Sequence, residues 1–178
     1  VLRIFVSMIP LALVGFFLKE EVEGLYNGNM LLIGLMLLVT SLLLTIGHFA
    51  SGKGRSISYR DAFIIGLAQA FAAIPGISRS GATIATGMML GNRKDELARF
   101  SFLMVLIPIL GANFLEIVSS TDKMTESLSP AVLIAGTLTA FISGYAACRW
   151  MINIVRKSKM IWFAAYCLVV GLLTILFL

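Results

Sequence analysis

Four stretches of this chain stay apolar for about as long as a helix needs to cross a bilayer, and that repetition limits the fold more than any other feature. A helix crossing roughly 30 Å of hydrocarbon needs about 20 apolar residues. Residues 29–49, 100–118, 130–148 and 160–178 meet or approach that length, and residues 4–18 form a shorter fifth run. The rest of the chain does not redress the balance. Hydrophobic residues make up 59% of the 178 and charged residues 13%, against about half and a quarter in a soluble domain. A globule this small has too little interior to hide so much apolar surface. The fold class is therefore an all-α integral membrane protein, a polytopic helix bundle forming a single membrane domain over residues 1–178. A soluble enzyme, a disordered chain and a free nucleic-acid-binding domain are excluded. Membrane lipids, not nucleic acid, are the expected surroundings despite the net charge of +5. Cys148 and Cys167 lie inside apolar runs and read as small fillers at lipid depth, not as a disulfide or metal pair. The chain starts at Val1 within an apolar run and has no initiating Met, so it is expected to be a fragment lacking its N-terminal part.

Residues 61–91 break the pattern. Two apolar pieces, 62–74 and 82–90, are each too short to span, since thirteen helical residues reach about 20 Å. Between them Pro75-Gly76-Ile77-Ser78-Arg79-Ser80-Gly81 cannot continue a helix. The stretch is either one broken span or a re-entrant hairpin that enters and leaves by the same face. The charges choose the hairpin. With it, 11 of the 14 Lys and Arg residues fall on one side, and the opposite loops carry Glu20, Glu21, Glu23, Asp122 and Glu126. A crossing stretch would put its two flanking basic loops in different compartments. The positive-inside rule thus predicts a hairpin entered from the cytoplasm. Small-residue ridges at Gly136, Ala140 and Gly144, and at Gly87 with Gly91, are expected to let helices approach closely.

The turn of that hairpin is the one polar constellation at membrane depth. An arginine there costs at least a few kcal/mol even on lenient insertion scales, and neither half-helix supplies an acid to pair with Arg79. An anionic ligand fits. The second half-helix starts near Gly81 or Ala82, so its N–H groups and positive dipole end face the break. Ser78, Ser80 and Thr83 add hydroxyl donors, and Gly76 and Gly81 permit the turn and close backbone approach. A guanidinium presents two parallel donors to two phosphate oxygens, which a lysine cannot do. The expected site is a phosphate cradle. Gln69 lies about two helical turns before Pro75, on the face towards the break, where it can bond the turn, a ligand or a neighbouring helix. His48 closes an apolar span and reads as an interfacial histidine. Because broken half-helices facing an anion are also a transporter device, these residues alone leave a phosphatase and an anion transporter both open. A second lipid-phosphatase pattern, with a histidine several residues after a Ser-Arg pair, is excluded, because residues 80–91 contain no histidine.

Gly66-Leu67-Ala68-Gln69, followed by Ile74-Pro75-Gly76-Ile77-Ser78-Arg79-Ser80-Gly81-Ala82-Thr83-Ile84, strongly resembles the signature of bacterial undecaprenyl-diphosphatases, the family linked to bacitracin resistance. Arg99-Phe100-Ser101-Phe102-Leu103 with Ile107-Pro108 resembles that family's next helix. The resemblance favours the phosphatase. It implies removal of the terminal phosphate of undecaprenyl diphosphate, a polyprenyl diphosphate lipid, which recycles the lipid carrier of cell-wall synthesis in the bacterial plasma (inner) membrane. It further implies an inverted-repeat architecture, of which this chain carries the second half, and a site open to the periplasm. A divalent metal, Mg or Ca, is implied as cofactor, and a homodimer is compatible with it. The family's E-x-x-x-E helix and P-x-S-S-T-G-H turn do not occur here, and Ala68 and Ala72 stand at the equivalent places. The metal carboxylates are thus expected in the missing segment, with no metal ligand in this chain, and the chain alone is expected to be inactive. Arg79, Ser78 and Ser80 are the expected catalytic residues, and Gly76, Gly81, Thr83 and Gln69 the expected diphosphate-binding ones.

Overall fold

The computed structural model describes residues 2–25, 29–50, 54–119, 129–156 and 160–177. Its regular structure there is helical: α1 (Leu2–Phe17), α2 (Lys19–Gly24), α3 (Met30–Phe49), α4 (Tyr59–Phe71), α5 (Arg79–Met89), α6 (Lys94–Ser119), α7 (Pro130–Arg156) and α8 (Met160–Leu176). Each expected span is a helix. Three are long and apolar enough to cross a membrane, Met30–Phe49, Lys94–Phe114 and Ala131–Asn153, and α1 and α8 are shorter apolar helices. The chain is a multi-pass membrane protein. Lys53, Asp122, Lys123, Glu126, Lys157 and Lys159, which carry part of the charge asymmetry, lie outside the described residues.

Residues 61–91 form a closed helical hairpin, α4 and α5 packed on each other around the Pro75–Gly76 turn. Its ends are pinned together. Arg55 N–H donates to the Gly91 carbonyl at 3.1 Å, and Arg93 N–H to the Arg55 carbonyl at 2.9 Å, a single parallel bridge of Arg55 with Asn92. Ser58 caps α4 in a capping box with Asp61, the reciprocal pairing that satisfies two orphan donors at a helix start. Arg55 Nη2 also reaches the Leu90 carbonyl at 2.7 Å, and Glu96 accepts from Ile57 N–H at 3.2 Å. Both limbs of the hairpin therefore leave it at one end.

Helix α3 measures how deep the hairpin reaches. A Cβ at Gly76 would lie 2.7 Å from the Ile33 carbonyl oxygen, and the Thr40 hydroxyl is 3.3 Å from the Gly76 carbonyl. The turn therefore lies about 5 to 15 Å from the N-terminal end of α3 and about 14 to 24 Å from its C-terminal end. Lower down, Gly47 of α3 packs against Ala85 of α5. The hairpin runs beside α3 without matching its full length.

The remaining helices enclose the hairpin. α1 crosses α4 at Gly66, where a Cβ would collide with the Ser7 backbone. α8 lies along α3, with Ser41 Oγ donating to the Ala164 carbonyl at 2.7 Å. α6 packs on α5 through Leu97 against Gly87, so that small position does admit a close neighbour. The Gly136–Gly144 ridge does not. Positions 131–150 of α7 are all exposed, and nothing lies within 4 Å of a Cβ placed at Gly136 or Gly144. Among the described residues, Leu44, Ile57, Ala62, Ile65, Ile84, Met88, Leu97 and Met104 form the main buried core. Cys148 is exposed and Cys167 buried, both as free thiols.

Candidate active site

The hairpin turn is built by backbone needs first. Pro75 ends the run after α4, and Gly76 turns the chain at φ +92, a region that favours glycine. Ser78 then caps α5: its hydroxyl accepts from Gly81 N–H at 3.1 Å, and its carbonyl accepts from Ala82 N–H at 2.8 Å. One of the donors left open at a helix start, the Gly81 N–H, is satisfied by this cap. The N–H groups of Arg79 and Ser80 have no partner among the described residues, so they point outward at the positive end of the α5 dipole.

The side chains of the constellation divide between two faces. Arg79 is exposed and lines a cavity of about 550 Å³ between α1 and α6, whose other lining residues, such as Leu11, Gly15, Pro108 and Ile109, are uncharged. Ser78, Ser80 and Gly81 line a smaller cavity of about 50 Å³ with Leu44, Met151, Met160 and Phe163. Successive helical residues are about 100° apart, which is why Arg79 and Ser80 separate. Arg79 makes no ion pair with another described residue.

Thr83 lies one turn beyond Arg79 and is fully buried. Its hydroxyl is 2.9 Å from the Arg79 carbonyl, 3.1 Å from the Ser80 carbonyl and 2.6 Å from the Ser101 hydroxyl of α6. The structure thus occupies this hydroxyl inside the protein instead of presenting it beside Arg79. Gln69 is also fully buried, on α4, and neither of its side-chain amide atoms has a hydrogen-bond partner among the described residues. Leaving such a group unpaired costs about 1–3 kcal/mol, so it is an unusual residue to bury. His48 stands in the last turn of α3, edge-on to Phe49 at 5.4 Å.

Besides Ser101, a second hydroxyl from a neighbouring helix meets this turn. Thr40 is 1% exposed and sits against the turn: its hydroxyl accepts from Ser78 N–H at 3.2 Å and lies 3.0 Å from the Met36 carbonyl. Nothing in its local sequence marks it, because a threonine inside a span ordinarily bonds the carbonyl four residues back.

The donors gathered at the turn are N–H groups, hydroxyls and a guanidinium. They suit an anion, and a bidentate guanidinium suits a phosphate in particular. A divalent cation does not fit this set, and among the described residues no three His, Cys, Asp or Glu side chains come together to hold one.

The family model for bacitracin resistance protein BacA matches residues 1–173. Among curated proteins, the chain is 49% identical to an undecaprenyl-diphosphatase of Christiangramia forsetii over 99% of its own length and 66% of that protein. It is 49% identical to one of Bacteroides fragilis over 98% and 67%, and 35% identical to one of Methanosphaera stadtmanae over 97% and 62%. The chain therefore spans about two thirds of the length of these relatives. An arginine-bearing helix start inside a membrane bundle and a match along nearly the whole chain agree: this chain belongs to the bacitracin resistance protein BacA family.

Proposed function

We propose that this chain supplies the phosphate-holding hairpin of a membrane phosphatase that hydrolyses undecaprenyl diphosphate to undecaprenyl phosphate and phosphate. The observation that carries the reading is Arg79, without an ion-pair partner among the described residues at the head of α5, at a depth where the neighbouring span α3 is largely apolar. Family membership supports the same substrate, since relatives such as that of Bacteroides fragilis are undecaprenyl-diphosphatases.

Diphosphate hydrolysis spreads charge over the transferred phosphoryl oxygens, so catalysis is largely positioning and electrostatic stabilisation. In this reading Arg79 grips two of those oxygens. The open N–H groups of Arg79 and Ser80 and the Ser80 hydroxyl share the developing charge, while the Ser78 hydroxyl stays committed to Gly81 and keeps the helix start in shape. Gly76 brings the turn close to α3, and Gly81 contributes through the N–H that Ser78 holds. Thr83 acts from behind, through the Arg79 and Ser80 carbonyls, and Gln69 offers an amide without a partner among the described residues. The divalent metal that the resemblance implies finds no ligand set in these residues. The hairpin is re-entrant in this reading, supported by its pinned ends and its reach along only part of α3. The inner membrane and an outward-facing site complete it.

Phosphate release from a diphosphate lipid, measured with the full-length protein in proteoliposomes alongside phosphate flux, tests the reading. Release without flux is the expected result. Flux without release would instead establish an anion transporter built on the same turn.

A further inference from the structure

We propose that Thr40 and Ser101, from the two helices flanking α5, form a hydroxyl clamp that sets the orientation of Arg79, and are positioning residues for the reaction proposed above.

The two hydroxyls grip the first turn of α5 from opposite elements. Thr40, on α3, holds the backbone just before Arg79, taking the Ser78 N–H at 3.2 Å, and lies 3.3 Å from the Gly76 carbonyl. Ser101, on α6, meets Thr83, whose hydroxyl faces the carbonyls of Arg79 and Ser80. Counting protons orders this second arm. A carbonyl can only accept and the Thr83 hydroxyl has a single proton, so that proton goes to the helix carbonyls and Ser101 donates to Thr83. Both arms are shielded from solvent: Thr40, Thr83 and Ser101 are 1%, 0% and 2% exposed. With the three hydroxyls so little exposed, each lost partner leaves a buried polar group unpaired.

The link to function is geometric. Arg79 itself is exposed, and no side chain among the described residues orients its guanidinium through an ion pair. Its backbone is the part that the protein fixes, with Ser78 on one side and the Arg79 carbonyl on the other. Bidentate contact with a phosphoryl group requires that direction to hold, and small misplacement of a positioned group costs rate out of proportion to the distance.

The inference rests on the phosphatase reading, and the experiment separates the two. In the full-length protein, Thr40→Val and Ser101→Ala remove one hydroxyl each, and Thr40→Ser restores it. Each removal should lower kcat about 10- to 100-fold with little change in KM, since a misaimed Arg79 fails mainly in the transition state. Thr40→Ser should recover most of the rate. Amide hydrogen exchange across residues 78–82 should quicken in Thr40→Val and Ser101→Ala and return to the wild-type rate in Thr40→Ser. The double variant should lose less than the product of the single losses, because a clamp open on one side no longer aims the turn. Faster exchange with an unchanged kcat would mean that the hydroxyls only brace the fold, and unchanged exchange would mean that no clamp exists; either overturns the proposal. A wild-type protein that releases no phosphate overturns the phosphatase reading instead, and the exchange data still decide whether the clamp exists.

Discussion

Arg79 is a cation facing a groove with no other charged lining residue, so changing its geometry and changing its charge should have separable effects. Arg79→Lys keeps the charge but offers a point donor where a planar fork stood. We expect turnover on a diphosphate lipid to fall by about 100-fold, with Arg79→Ala at least as severe. The membrane fraction should still contain both variants, since Arg79→Lys leaves the charge at depth unchanged and Arg79→Ala relieves its insertion cost. Near-normal turnover in Arg79→Lys would mean that bidentate holding is wrong. Gln69 makes the opposite trade. Its amide is buried without a partner among the described residues, so Gln69→Leu should raise the thermal midpoint of the ligand-free protein and lower kcat/KM; a lowered midpoint would reveal a partner for that amide. The residues that name this turn were legible because Ser78, Arg79 and Ser80 are contiguous and polar within an apolar chain. Thr40 and Ser101 were not, since their partners are 38 and 18 residues away and a hydroxyl in a span looks the same whether it braces its own helix or another. The spacing of Thr83 from Arg79 likewise fixes its place on α5 but does not tell that Ser101 packs there.

At the scale of elements, the hairpin depends on its base and on its crossing with α1. At Gly66 a Cβ would meet the carbonyl and Cα of Ser7, backbone atoms that cannot rotate aside. Gly66→Ala should therefore push α1 from α4 and destabilise by about 1–3 kcal/mol. Gly87→Ala meets only the Leu97 side chain and should cost less; equal losses in thermal denaturation would contradict the crossing. The base adds a pH dependence. Burial opposes ionisation of Asp61, but hydrogen bonds from the Ser58 backbone and hydroxyl, the nearby Arg55 charge and the Asn92 side chain outweigh it, holding its carboxyl below the usual carboxylate range. A lowered folded pKa means that its contribution is present above the unfolded value, about 3.9, and is lost as pH falls through the folded one. Protease sensitivity of residues 54–58 should then rise on acidification below about pH 4, and the rise should vanish in Asp61→Asn. The span limits were readable from apolar runs alone. α2 and the early start of α6 at Lys94 were not, because both begin in charged segments that carry no lipid-length signal.

Across the whole molecule, the pinned base decides which loops share a compartment. Arg55 and Asn92 are bridged backbone to backbone, so the segments entering α4 and leaving α5 lie about 5 Å apart and must face the same side. α6 then runs 26 residues from that end, about 39 Å, long enough to deliver the start of α7 to the other face. Charge names the compartments. Arg55, Arg60, Arg93, Lys94 and Arg99 lie in sequence within a few residues of the bridged pair, so the positive-inside rule predicts a cytoplasmic base. Single cysteines replacing Ser56, Arg93 and Ser129, in a background without Cys148 and Cys167, put this to a direct measurement. A membrane-impermeant thiol reagent should label positions 56 and 93 only in inverted vesicles and position 129 only in intact cells. Labelling of 56 and 93 from opposite faces would break the bridge and the hairpin with it. Labelling of all three from one face would leave the hairpin intact but remove α6 as a crossing helix.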